Sequence, residues 1–243
     1  CDDAVSRISK QVTIGLYSAA NPLKPIPVVS SYLRLVQVLT QVIVLVQRHY
    51  QDAISQLLSG AQNEASQCQD QVEQLTNILE IKVTSGLSAC IDVIVGQAER
   101  ILAAQGKGDY RLQDDEVPTD LKPTATCVQL IHFIEVQRVE VSRCLDGRNV
   151  RSFLTEVASR LLRLFVDQIK KFSITAAGGL RLMRDTSEYR DAVLRFGSPT
   201  ATKQYELLTD IAKVRETIST AFPRFDTRQI LRRYFLLHQR TLS

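Results

Sequence analysis

The sequence has no tryptophan, a single methionine and few aromatic side chains, 6% of its 243 residues, so Leu, Val, Ile and Ala supply most of its apolar content. That mixture is typical of packed helices rather than of sandwiches or ligand pockets. The five cysteines are an odd number without a close pair, which excludes the spacing of a disulfide framework or a zinc site. Together with the lack of Asn-x-Ser/Thr acceptors, this favours a reducing, cytosolic compartment.

Long hydrophobic runs are also missing. The longest, VLTQVIVLV at residues 38–46, is interrupted by polar residues and is shorter than the ~20 residues needed to cross a bilayer. We therefore expect neither a signal peptide nor a membrane span in this sequence. Because the first residue is a cysteine and the single methionine is Met183, we interpret the chain as a fragment of a larger protein.

Motifs of catalysis are not found either. His49, His132 and His238 are widely separated, and none belongs to a His-Glu-x-x-His pattern. The acidic pairs Asp2/Asp3 and Asp114/Asp115 fall in stretches that we expect to be flexible, where an acid/base pair would not be held in place. Phosphate-binding loops and nucleophile elbows are absent. We therefore expect no enzyme activity, no cofactor, no metal and no small-molecule substrate.

The charge is distributed unevenly along the chain. Residues 1–121 carry 9 basic and 14 acidic side chains, whereas residues 122–243 carry 21 and 12. Near the end, Arg224, Arg228 and Arg232 are spaced by four, with Arg233 beside them, which predicts an arginine ridge along a helix. The alternatives are a solvated face and contact with an acidic partner or anionic lipid headgroups. Nucleic acid is not an expected partner, because the aromatic residues nearby also fit a packing face.

Four short regions contain all seven prolines: residues 21–27, 118–123, 197–200 and 222–225. Because proline is costly inside a helix, we interpret the segments between them as helical and the whole as an all-α, elongated rod of stacked helical bundles. The residues from about Ala61 to Gln105 predict one helix of roughly 65 Å. Further helices are predicted at 32–50, 125–145, 150–172, 203–221 and 227–239, with Gly147 closing the helix before it and Asn149 capping the helix after it.

The charged segment GKGDYRLQDDEVPTDLKPT divides the chain into two predicted parts: an N-terminal helical bundle at 1–123 and a basic C-terminal bundle at 124–243. A second irregularity lies in KKFSITAAGGLRLMRDTSEYR, residues 170–190, where Gly178 and Gly179 interrupt an otherwise helical pattern. Two adjacent glycines offer almost no side chain, so we predict either a close approach between helices or a bend there, in preference to direct contact with a partner.

The residues from about Lys82 to Pro199 resemble the exocyst complex component 5 family. The resemblance is carried by KVTSGLSACIDVIVGQAERIL, by DGRNVRSFLTEVASRLLRLFVDQIKKFSITAAGGLRLMRDTSEYRDAV and by the later YELLTDIAKV, in this order and at these spacings. It covers about half the chain firmly; the first eighty residues fit by helical character alone.

The resemblance implies the rod-like fold of multisubunit tethering complexes and a scaffold without catalysis. Such a subunit holds the other tethering subunits together while a secretory vesicle docks, and it is cytoplasmic and peripheral to the membrane. An anionic membrane surface is a second expected contact. The same blocks are shared with recyclin-type proteins, which join an F-box to a similar region and act in endosomal recycling. An F-box adaptor in recycling and protein turnover therefore remains the alternative hypothesis.

Overall fold

The computed structural model describes residues 26–112 and 122–221, with the side chains of residue 211 and of residues 214–221 left aside. Within these ranges every regular element is a helix. The helices are α1 (Pro27–His49), α2 (Gln62–Ala103), α3 (Ala125–Cys144), α4 (Gly147–Lys171), α5 (Ala176–Leu194) and α6 (Pro199–Ala221). A π-helical turn at Tyr50–Ile54 and a last turn at Ser55–Leu57 extend α1. The predicted helix at 227–239 and the acidic residues 114–120 lie outside the described residues.

Helix α2 has 42 residues, which confirms the long helix predicted from about Ala61 to Gln105. Helices α1, α3 and α4 pack against it. Helix α1 packs antiparallel to α2, along the first half of α2. The Tyr32 hydroxyl, near the start of α1, donates to the Lys82 carbonyl at 3.1 Å, and the Tyr50 hydroxyl, just after α1, donates to the Ala65 carbonyl at 3.2 Å. Helices α3 and α4 pack along the second half, where Gln168 of α4 donates to the Leu102 carbonyl at 2.7 Å. Helices α5 and α6 form a hairpin that closes over α3 and α4.

A continuous core joins these helices. On α4, the apolar face predicted from the sequence is buried, including Phe153, Leu161 and Phe165. Phe165 stacks on Tyr189 of α5, with ring centroids 4.1 Å apart, and meets the Tyr205 ring of α6 edge-on at 6.0 Å. Three helices therefore share one aromatic cluster, which fixes how the α5–α6 hairpin sits on α4.

Both predicted caps between α3 and α4 are wrong. Gly147 does not close α3, which ends at Cys144 with Leu145 as its C-cap. Asn149 does not begin the fourth helix, because α4 starts at Gly147 with Asp146 in the N-cap position. Gly147 has a φ of +46°, a conformation that favours glycine, and only Leu145 and Asp146 separate α3 from α4. The backbone of Asn149 then donates to the Asp146 carbonyl, which makes Asn149 part of the first turn.

Gly178 and Gly179 lie in the first turn of α5 rather than in the middle of a helix. The helical run is interrupted just before them, since α4 ends at Lys171 and Phe172 is extended. Thr175 is the N-cap of α5, and its hydroxyl accepts a hydrogen bond from the Gly178 N–H at 3.1 Å. A threonine cap followed by small residues starts a helix without steric hindrance, and this local signal is what places the break at 172–175.

The region 27–57, which contains α1, is long and apolar enough to span a membrane by length and composition, with a mean hydropathy of 1.7 in its most apolar window. A core helix passes the same test, and 33% of that window is buried inside the structure. The sequence expectation considered only the uninterrupted apolar run, so it missed this property of the complete helix.

The division of the chain at residue 123 stays a prediction. The hydrophobic core includes residues from both predicted parts, such as Ile94 and Leu161. Asp185 also accepts hydrogen bonds from Tyr110 and Thr124, which belong to different predicted parts.

Candidate interaction surface

One part of the molecule has far less cover than the rest. From Gly86 to Leu102 helix α2 has nine buried residues, but between Gln62 and Lys82 only Thr76 is buried. This first half of α2 packs against the second half of α1, and together residues 38–81 form a two-helix arm. Large apolar side chains are exposed on both helices of the arm: Val38, Val42, Val44, Leu45, Leu57, Leu75, Ile78 and Ile81.

Helix α1 has two apolar faces, of which one has no packing partner in the part of the chain that the structure describes. Its sequence contains four adjacent apolar pairs, and in each pair the second residue is buried or half-buried while the first is exposed. Val36 and Ile43 thus face the bundle, whereas Leu35 and Val42 do not. The exposed residues of the four pairs recur at spacings of three, four and three, the pattern by which a helix packs against another helix. The exposed set is Leu35, Val38, Val42 and Leu45.

A groove of about 890 Å³ lies between the two helices of the arm. From α1 and the π-helical turn it is lined by Gln47, Tyr50 and Gln51, and α2 contributes residues between Gln69 and Glu80. Three of the latter are carboxylates, Asp70, Glu73 and Glu80, and among the described residues no lysine or arginine lines the groove. Within the described part of the chain these carboxylates form no ion pair; Glu73 accepts a hydrogen bond from Gln69 at 2.9 Å. The groove is therefore acidic, and no basic side chain in residues 26–112 or 122–213 pairs with its carboxylates.

The most strongly desolvated carboxylate is elsewhere, at the junction of α2, α3 and α5. Asp185 is 0% exposed and accepts hydrogen bonds from the Tyr110 hydroxyl at 2.7 Å, the Thr124 N–H at 2.9 Å and the Thr124 hydroxyl at 2.8 Å. Gln105 in turn donates to the Tyr110 oxygen at 2.9 Å. We call these four residues the Asp185 network. Burial raises the pKa of Asp185, and the hydrogen bonds from Tyr110 and Thr124 offset part of that rise.

The Asp185 network holds the fold together rather than offering a reactive group. Its carboxylate has no exposed surface through which a substrate could reach it. Tyr110 precedes the acidic residues 114–120 and Thr124 follows them. The hydrogen bonds of both residues to Asp185 therefore hold the chain to α5 on either side of these acids. The sequence reasoning missed this residue. A signal was present, because Asp185 follows Leu182 and precedes Tyr189 at helical spacing on the buried face.

The remaining titratable groups do not converge on a site. Burial raises the pKa of the Cys90 thiol to about 12 and also raises that of Cys127, so neither is an activated nucleophile. His49 and His132 are exposed on different helices, and His238 lies outside the described residues. In the part of the chain that the structure describes, no group of three or more His, Cys, Asp or Glu side chains could hold a metal ion.

Gly178 lies where two backbones come close. A Cβ atom built on it would lie 1.8 Å from the carbonyl oxygen of Tyr110, far inside contact distance. The Thr175 N–H donates to that same carbonyl at 3.1 Å, and the Thr175 hydroxyl donates to the Leu112 carbonyl at 2.8 Å. Gly179 is buried beside it. The backbone that approaches Gly178 belongs to the turn at Tyr110 and not to a second helix, so the predicted role of the two glycines in helix-to-helix approach or bending stays a prediction.

The predicted arginine ridge cannot be placed. Arg224, Arg228, Arg232 and Arg233 all lie outside the described residues. Their proposed contact with an acidic partner or with lipid therefore stays a prediction.

Comparison with known proteins agrees with the helical architecture. Residues 17–215 match the family described as "Exocyst complex component Sec10-like, alpha-helical bundle". Exocyst complex component SEC10a of Arabidopsis thaliana is 33% identical over 188 residues, which are 76% of this chain and 22% of the relative.

Relatives of lower sequence identity give the same result. Exocyst complex component 5 of Homo sapiens is 25% identical over 177 residues, 73% of this chain and 25% of the relative. The Dictyostelium discoideum protein of that name is 28% identical over 187 residues, 76% of this chain and 19% of the relative. The chain thus spans a quarter or less of the length of these relatives. Because the family match extends over most of its length, the chain belongs to the Sec10-like exocyst complex component family, in its alpha-helical bundle region.

Proposed function

We propose that this chain is a non-catalytic scaffold region of an exocyst subunit, which holds partner subunits together while secretory vesicles dock at the plasma membrane. The observation that supports this most directly is the two-helix arm, which exposes apolar side chains on both of its helices. Monomeric soluble proteins rarely leave such contiguous apolar surface uncovered, and it commonly marks a protein–protein interface. The relatives described above are named as exocyst components, which gives the partners their class.

The same proposal includes the place of action. A subunit of this kind works in the cytoplasm and is peripheral to membranes at sites of docking. Helices α3 to α6 share a core with the second half of α2, and we call this part of the molecule the base. The base would set the direction of the arm. Scaffolding requires a fixed geometry and exposed contact surface, and both are features of the described residues.

Affinity purification of the full-length protein followed by mass spectrometry tests this function. We expect the other exocyst subunits to be recovered in stable proportion. Recovery of a Skp-type ubiquitin-ligase adaptor in their place would favour the F-box alternative, which the exocyst relatives do not support. Recovery of neither would contradict both functions.

Contact with an anionic membrane is a separate proposal that depends on the arginine ridge. Each basic residue near such a surface contributes about 1 kcal/mol, so several arginines together would give measurable binding. Liposome sedimentation with Arg228, Arg232 and Arg233 each replaced by Glu is the test. Binding that is unchanged by these replacements would eliminate the ridge as a lipid contact.

A further inference from the structure

The arm differs in charge from the rest of the chain. Residues 38–81 contain one arginine, Arg48, and five acidic side chains, whereas the whole chain carries a net charge of +4. Three of the five acids, Asp70, Glu73 and Glu80, line the groove between α1 and α2. Unpaired carboxylates collected in one concave surface attract a cationic partner and repel an anionic one.

Apolar surface flanks the acidic groove on both helices. Val44 precedes the groove residue Gln47 by three positions, and Ile81 follows the groove residue Asn77 by four, so each projects from nearly the same side of its helix as the groove. Val44 is 49% exposed and Ile81 is 59% exposed. Val72 lines the groove itself. The surface therefore offers carboxylates and apolar contacts side by side.

Along α2 the groove is long enough for a short helix. Its lining residues on α2 extend from Gln69 to Glu80, which at 1.5 Å per residue is about 17 Å, or three helical turns. Along the rest of α2, additional helices pack beside it, but the arm consists of two helices alone in the described residues. A third helix in the groove would give the arm the cover that the base already has.

We propose that this groove docks a basic amphipathic helix of a partner subunit, whose lysine and arginine side chains meet Asp70, Glu73 and Glu80 while its apolar face lies on Val44 and Ile81. The proposal rests on the proposed scaffold function and adds the chemistry of one partner segment. Lipid headgroups and nucleic acids are disfavoured at this surface, because their phosphates would face uncompensated carboxylates. A helix with a strongly acidic polar face is disfavoured for the same reason.

The test uses the full-length subunit within the purified exocyst complex. A photo-crosslinking amino acid is placed at Asn77, which is exposed and lines the groove, and in a control at Asn149, an exposed asparagine of α4. We expect the crosslink from position 77 to fall in a helical segment of another subunit with at least three Lys or Arg in about three turns. Crosslinks to a neutral or acidic segment, to lipid or to a second copy of this subunit would overturn the proposal, and so would the lack of any crosslink.

Charge variants test the contribution of the carboxylates. A Glu73→Gln/Glu80→Gln variant removes two groove charges, and Glu99→Gln/Glu206→Gln removes two exposed charges elsewhere. Using a synthetic peptide of the crosslinked segment as the probe, we expect the groove variant to bind about tenfold more weakly, while the control binds like wild type. Binding of wild type should also weaken as NaCl is raised, and the groove variant should show less of this dependence. Equal affinities of the two variants would contradict the proposal.

The two proposals fail in different ways. If the subunit does not copurify with other exocyst subunits, the scaffold function is wrong. If it copurifies and position 77 does not reach a basic helix, the docking inference alone is wrong. Because all four substituted acids are exposed, circular dichroism and the melting temperature should stay at wild-type values in both variants.

Discussion

The two halves of α2 have the same backbone conformation and opposite surroundings. The second half buries Cys90, Ile94, Ala98 and Ile101 against three other helices, whereas the first half contacts α1 and leaves most of its surface exposed. In the arm, the helical conformation of α2 is therefore supported by the rest of the same helix and by contact with α1. In the base, it is supported by a core that several helices share. The difference teaches that regular secondary structure alone does not distinguish a core from an interface.

The largest expected difference concerns apolar burial in the base. Phe165 is 1% exposed and contacts aromatic rings from α5 and α6. We expect Phe165→Ala to lower the free energy of unfolding by about 3–5 kcal/mol, because it removes a large side chain and leaves a cavity. Urea denaturation followed by circular dichroism measures this change. A loss below about 1 kcal/mol would mean that the α5–α6 hairpin does not depend on the aromatic cluster.

The second prediction concerns backbone approach in the base. A Cβ at Gly178 would collide with the Tyr110 carbonyl, and neither backbone moves without disturbing the Asp185 network. We expect Gly178→Ala to cost about 1–3 kcal/mol, measured by thermal or urea unfolding. Gly96→Ala is the matched control, since a Cβ at Gly96 in α2 meets nothing within 4 Å. That control should stabilise the chain by up to about 1 kcal/mol through helix propensity, and a similar gain at Gly178 would refute the close approach.

The third prediction is a pH dependence from Asp185. Because burial raises its pKa in the folded state, the native protein holds this proton more tightly than the unfolded chain does. The stabilisation from Asp185 is therefore complete below the ordinary Asp pKa and is lost as the pH rises through the folded value. Asp185→Asn should cost about 1–2 kcal/mol through its lost hydrogen bonds, and the stability difference between wild type and variant should shrink with rising pH.

Urea denaturation of both proteins at a series of values from about pH 4 to about pH 8 provides the measurement. Tyr110→Phe is a useful control, since it removes one of the three hydrogen bonds to the carboxylate and leaves the charge in place. A stability difference that grows with pH would show that the hydrogen bonds outweigh burial and that the pKa is lowered.

Much of the fold could be predicted from local signals. Proline positions and apolar spacing gave α2 within two residues at each end, and the same reasoning placed the buried face of α4. The start of α4 was missed, because Asn149 is a good cap by type and the positive φ of Gly147 became visible in the structure alone. The end of α4 was predicted at Phe172, one residue beyond its observed end, but the start of α5 at Ala176 was not predicted, although Thr175 carried a capping signal.

The candidate surface was harder to predict than the fold. Four adjacent apolar pairs on α1 gave the same periodic signal whether the residues faced the core or solvent. By sequence alone, Val36 and Leu35 are equally good candidates for burial. In the folded chain Val36 is 2% exposed, whereas Leu35 is 43% exposed. The groove carboxylates likewise look like an ordinary solvated face until α1 lies beside them. Tertiary placement, which a single sequence does not specify, therefore separates interface from core here.

The smallest expected effect belongs to the arm and sharpens the comparison most. Leu45 is 61% exposed and belongs to the unpartnered face of α1. We expect Leu45→Ser to change the free energy of unfolding by less than about 0.5 kcal/mol, because it removes little buried apolar surface. Ile94→Ser, on the same pair of packed helices but 1% exposed, should cost several times more.

A cost above about 2 kcal/mol at Leu45 would mean that another segment of the chain already covers this face, since only burial gives an apolar side chain that value. The alternative outcome is a small loss of unfolding free energy in the isolated chain together with a loss of partner binding in the assembled complex. That outcome would mean that Leu45 stabilises an interface, which is the property that separates the arm from the base.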